Sequence, residues 1–110
     1  MSYPILRVHK NAIRENGERL ISECSKHGVS LWGVSKGISA FPEVAAAYKE
    51  AGLKVIADSR IENIRKMKNA GIDSLYALIR IPMRSELNDV IELADYSLVS
   101  DLGTIQKMSE

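Results

Sequence analysis

Leu75-Tyr76-Ala77-Leu78-Ile79 decides the architecture. The apolar residues follow one another without a polar alternate. A strand covered on both faces reads this way, as in a parallel sheet flanked by helices. Working outward, the strand is expected over Leu75–Ile81, and Pro82 stops it. Other apolar runs begin near Val29, Leu53 and Tyr96, so the four runs start about 22 residues apart. That spacing is one strand plus one helix. Further strands are expected at Ile5–His9, Leu31–Ser35, Lys54–Ala57 and Tyr96–Ser100.

Helices fill the intervals. Asn11 is placed to cap a helix over Ala12–Lys26, with Ile13, Leu20, Ile21 and Cys24 on its apolar face. Pro42 suits the first turn of a second helix reaching Ala51, with Val44, Ala45, Ala47 and Tyr48 inward. Ser59 with Glu62 three residues on predicts a capped third helix burying Ile61, Ile64 and Met67. Ser85 opens a fourth with Leu87, Val90, Ile91 and Ala94 inward, and Ser100 or Asp101 opens an unfinished fifth. Gly28, Gly52 and Gly71 stand where helices end and the chain turns back. Right-handed crossovers then leave two architectures. One is an open doubly wound sheet. The other is the N-terminal half of a (β/α)8 TIM-type barrel, since a complete barrel needs roughly 250 residues.

Composition narrows the classes. The chain has 110 residues, 45% of them hydrophobic, and a net charge of +1, which predicts a single α/β domain over residues 1–110. One cysteine, Cys24, excludes a disulfide framework and fits a reducing, cytoplasmic compartment. No apolar run approaches the ~18 residues of a membrane span. Near-neutral charge and few aromatics point away from nucleic acid. His9, His27 and Cys24 show no paired metal-ligand spacing, so no metal is expected.

Both architectures bind ligands where strands end and helices begin. The segments there are Val34-Ser35-Lys36-Gly37, Ala57-Asp58-Ser59-Arg60, Ile79-Arg80-Ile81-Pro82 and Val99-Ser100-Asp101. Lys36 closes an apolar strand. An amine so placed is a nucleophile towards an aldehyde or ketone once its pKa is depressed. From position alone, a solvated loop lysine is the simpler reading. Arg80 lies inside an apolar stretch and, if buried, requires a partner. That partner is either an anion such as a cofactor phosphate or substrate carboxylate, or Asp58 or another carboxylate of the chain at the same mouth. Asp58 either orients Arg80 or Lys36 or merely begins the turn before the third helix. Ser100 is a helix cap or an anion donor. Trp32 and Cys24 are expected to pack, and Arg60, Arg65, Lys66 and Lys68 form a solvated helix face.

Val34-Ser35-Lys36-Gly37, about 25 residues after Ile5-Leu6-Arg7-Val8-His9-Lys10-Asn11-Ala12-Ile13, resembles the pyridoxal-phosphate-dependent alanine racemase family of fold type III. The nearer likeness is to its amino-acid (ornithine-type) racemase branch. Ala57-Asp58-Ser59-Arg60-Ile61-Glu62-Asn63-Ile64 resembles that branch's second strand–helix junction. Leu78-Ile79-Arg80-Ile81-Pro82-Met83 with Ser85-Glu86 resembles the third, and Ser97-Leu98-Val99-Ser100 with Ile105 the fourth. The resemblance implies that Lys36 is the catalytic lysine, holding pyridoxal phosphate as an internal aldimine, with Arg80 as a further cofactor-binding residue. It also implies a small amino-acid substrate and a strand at Ile5–His9 that pairs outside the barrel. One departure stands out. Alanine racemases carry a tyrosine shortly after the lysine, whereas this chain has Gly37-Ile38-Ser39-Ala40-Phe41.

Three functions follow for testing. The first is the N-terminal part of an amino-acid racemase, inactive as an isolated chain. The second is a non-catalytic pyridoxal-phosphate-binding module, and the third a ligand-free structural half-barrel. Unclosed barrel edges at Leu31–Ser35 and Tyr96–Ser100 predict a homo-oligomer.

Overall fold

Four of the five expected strands form, and they pair in parallel in their sequence order, β1 to β4. In this computed structural model, which describes residues 4–110, the strands are β1 (Gly33–Val34), β2 (Val55–Asp58), β3 (Leu75–Leu78) and β4 (Tyr96–Ser97). The helices are α1 (Lys10–Ser25), α2 (Pro42–Ala51), α3 (Ile61–Asn69), α4 (Leu87–Leu93) and α5 (Leu102–Ser109). Short 3-10 turns at Lys36–Ile38 and Arg84–Glu86 precede α2 and α4.

Each crossover moves the sheet in the same direction, which a doubly wound sheet does not do. Strand residues also sort by face. Ile56, Tyr76 and Leu78 join Ala45, Ile61, Ile64, Met67, Val90 and Leu93 in one buried core against the helices. Val55, Ala57 and Ala77, with Ile79 packed on them, form a separate cluster without helix residues. Helices on one face and sequential strands make a partial (β/α) barrel, so the doubly wound alternative is set aside. Curvature is visible in one contact. Trp32, just before β1, stacks on Tyr96 of β4 with ring centroids 5.1 Å apart. In a flat sheet those strands lie about 14 Å apart, three strand spacings.

Several expectations are corrected. Ile5–His9 forms no strand and is exposed; Leu6 is 88% accessible. Its alternation offers one apolar face, but no sheet edge meets it. His9, not Asn11, stands at the N-terminal boundary of α1 and makes no side-chain capping bond; the helix buries no residue fully, and Leu20 faces solvent. Arg60 rather than Ser59 stands at the cap of α3, and Ile61, Ile64 and Met67 are buried as expected. In α4, Leu93 is buried where Ile91 was expected, because the helix starts at Leu87 after the 3-10 turn and its face rotates. The strands are shorter than their apolar runs: β1 and β4 each pair over two residues, and the last bond to β3 comes from the Leu98 N–H.

Candidate functional site

The four strand ends present Ser35-Lys36, Asp58, Ile79-Arg80 and Leu98–Ser100 at one rim of the sheet. Lys36 opens the 3-10 turn after β1 and is exposed. Among the described residues its amine has neither an ion pair nor a hydrogen bond. The turn that carries it is tightly tied. Ser35 donates its N–H to the Ala57 carbonyl at 2.9 Å, and its own carbonyl accepts from Ile38 (3.2 Å) and Ala40 (3.0 Å). The chain then takes two successive left-handed, non-glycine residues, Ser39 (φ 50°) and Ala40 (φ 54°). Each such residue costs about 1–2 kcal/mol, and strain of this kind persists only where surroundings enforce it. The enforcement is visible: Ala40 is fully buried in the helix-side core, and Lys66 donates to the Ser39 carbonyl at 3.1 Å.

Asp58 is fully buried. Its Oδ1 accepts from the Arg60 N–H (2.9 Å) and from Asn63 Nδ2 (3.0 Å), which forms the turn into α3. Its Oδ2 accepts from the Ser35 hydroxyl at 2.7 Å. The turn reading of Asp58 therefore holds, and a second contact accompanies it.

Arg80 is not the buried guanidinium expected from its apolar neighbours. The strand ends at Leu78, and Arg80 lies beyond it, about half exposed. Its partner is Glu86 at 3.3 Å, so of the two intramolecular pairings expected it makes the one with another carboxylate rather than with Asp58. Glu86 also accepts from the Met83 N–H at 3.1 Å, so it fastens the 3-10 turn before α4. A guanidinium has five N–H donors, so Arg80 keeps several for an anion. Asp101, rather than Ser100, caps α5 by accepting from the Thr104 N–H (3.1 Å) and hydroxyl (3.0 Å). Those bonds hold its carboxyl below the ordinary value of 3.8.

The structure thus brings Ser35, Asp58 and Asn63 together beside Lys36, and pairs Arg80 with Glu86. Ser35, Glu86 and the strained pair Ser39–Ala40 were missed from sequence. A usable signal existed only for Asp58-Ser59-Arg60, an Asx-turn pattern. A cavity of about 330 Å³ lined by Trp32, Lys54, Val55, Leu75 and Tyr96 opens where the strands start, away from Lys36. Pyridoxal phosphate was implied by resemblance, and the residues fit part of it. A free amine on a fixed turn suits attachment to an aldehyde, and Arg80 suits an anion. Among the described residues no phosphate cradle is assembled beside them.

The fold and this rim define a partial α/β barrel with an exposed lysine at the end of its first strand. No family model matches the chain. Over all 110 residues it is 36% identical to the lysine racemase of Thermotoga maritima, and over 108 residues 31% identical to the ornithine racemase of Acetoanaerobium sticklandii. It spans 31% and 30% of those relatives' lengths. The crystal structure of alanine racemase from Oenococcus oeni superposes with a TM-score of 0.68, covering 88% of this chain and 27% of that one, at 17% identity. The last comparison supports the fold. The sequence matches make the chain similar, over essentially its whole length, to about a third of two amino-acid racemases.

Proposed function

We propose that this chain is the N-terminal part of a pyridoxal-phosphate-dependent amino-acid racemase, with Lys36 as the residue that carries the cofactor. The observation that supports this most is the exposed, unpartnered Lys36 amine on a strained and tied turn at the strand end. Bound there, pyridoxal phosphate supplies an electron sink for charge at the substrate α-carbon. Lys36 Nζ is the group in this chain suited to hold the α-proton on one face. Arg80 orients an anionic group, the cofactor phosphate or the substrate carboxylate, while Glu86 keeps its guanidinium in place. Both sequence relatives are named for amino acids with a terminal amine, so that class is the substrate to test first.

Borohydride reduction of the full-length protein with its cofactor, followed by peptide mass mapping, is expected to place the adduct on Lys36. An adduct elsewhere, with Lys36→Ala binding cofactor normally, overturns the assignment. The isolated 110 residues are expected to interconvert neither lysine nor ornithine enantiomers measurably. They form four parallel strands, half of the eight that close a barrel. Conversion by this chain alone, abolished in Lys36→Ala, would refute that expectation.

A further inference from the structure

We propose that Asp58 is a positioning residue for Lys36, acting through the Ser35 hydroxyl; this rests on the reading of Lys36 as the cofactor's attachment point. The two oxygens of Asp58 have separate tasks. Starting α3 needs only Oδ1, which takes both the Arg60 N–H and the Asn63 amide. Oδ2 is surplus to that turn and receives the Ser35 hydroxyl at 2.7 Å, a charge-assisted length. Ser35 in turn is the hub of the next segment. Its carbonyl receives the N–H groups of Ile38 and Ala40, so the turn bearing Lys36 closes on this one residue. The strained pair Ser39–Ala40 lies at the far end of the same turn and would relax if its near end were free to shift. A lysine on a four-carbon stem reaches wherever its backbone aims it, and useful sites hold such groups to within about 0.5 Å. The Asp58–Ser35 contact ties the end of β2 to the end of β1 immediately before Lys36. It thereby fixes where the amine's stem begins. A buried carboxylate is costly unless it is hydrogen-bonded, and here the bond on Oδ2 goes to the residue before Lys36.

The test uses the full-length protein with pyridoxal phosphate and borohydride, reading the share of adduct on Lys36 against the other lysines by mass mapping. Amide exchange at Ile38 and Ala40 is read in parallel. Ser35→Ala removes the donor. Asp58→Asn keeps an oxygen for the α3 turn but replaces the acceptor facing Ser35. Both are expected to speed exchange at Ile38 and Ala40 about tenfold, the size of one lost charge-assisted hydrogen bond, and to cut the Lys36 share severalfold. Asn63→Ala loosens the start of α3 but leaves the Ser35 contact, and is expected to leave the share unchanged. An equal fall in Asn63→Ala makes the effect one of general stability and overturns the proposal. So does faster exchange in Ser35→Ala with the Lys36 share intact. If the unsubstituted full-length protein shows no preference for Lys36, the attachment reading itself fails and this proposal falls with it. A preference that survives both Ser35→Ala and Asp58→Asn overturns the positioning role alone.

Discussion

At the residue scale, side-chain identity was a good guide to burial and a poor guide to partnership. Ile61, Ile64 and Met67 are buried because helical spacing dictates it. Arg80 was misjudged because an apolar neighbourhood in sequence does not fix where a strand stops. Two residues past Leu78, its backbone is already outside the sheet. Asp58 was legible as a turn residue, but its bond to Ser35 spans 23 residues and depends on strand register, which no local pattern shows. Tyr76 gives a residue-scale prediction. It is fully buried in the centre of the helix-side core, donates its hydroxyl to the Ile72 carbonyl at 2.6 Å, and has Asp73 nearby. Burial first, then the Asp73 charge, push its pKa from 10.0 up to about 12. The folded state therefore holds the phenol proton more tightly than the unfolded chain. Stability from this group is fully present below pH 10 and is lost as pH rises towards 12. Denaturant melts of Tyr76→Phe against the native chain are expected to show a flatter alkaline limb. At neutral pH the variant should lose roughly 1 kcal/mol with the hydrogen bond.

At the element scale, periodicity identified helices and core strands but not their ends. The two-residue strands β1 and β4 emerged from apolar runs more than twice their length, because a strand lasts only as long as its neighbour's ladder. Ile5–His9 failed for a related reason: alternation describes a face, and a strand also needs an edge to pair with. The start of α5 was open between Ser100 and Asp101, and hydrogen bonding to Thr104 decides for Asp101. The same bonds lower its pKa below 3.8, so their contribution is present above that value and fades as pH falls through the lower folded one. Asn is an equally good cap without the charge. Circular dichroism of the native chain is expected to lose helical signal on the acid side, and Asp101→Asn is expected to keep α5 while removing that loss. Asp101→Ala should show weaker α5 protection at every pH by amide exchange.

At the scale of the whole molecule, the chain resolves into a covered face and an uncovered one. The covered face carries the helices and the main core. The other holds Val55, Ala57 and Ala77 beneath the Trp32–Tyr96 stack, rimmed by Val34, Leu75 and Leu98, which are 41%, 44% and 56% exposed. In a closed barrel that face is the interior and no strand is an edge. Here β1 and β4 are both edges, as the sequence led one to expect, and neither contains the lysine or proline that discourages pairing. Ile5–His9 pairs with no strand and so covers neither edge. The Trp32–Tyr96 stack shields part of the face but leaves both rings near half-exposed, at 40% and 47%. All four strands run parallel in sequential order. A two-fold axis along the would-be barrel therefore sets β4 of one copy beside β1 of another in the same sense and buries both concave faces. A homodimer or larger assembly of the isolated chain is the expected outcome. Light scattering at micromolar concentration should give at least twice the chain mass, and Val34→Lys, which places a charge on the β1 edge of that face, should return it towards one. A concentration-independent monomer mass for the native chain would mean that the aromatic stack alone keeps the face from a second copy.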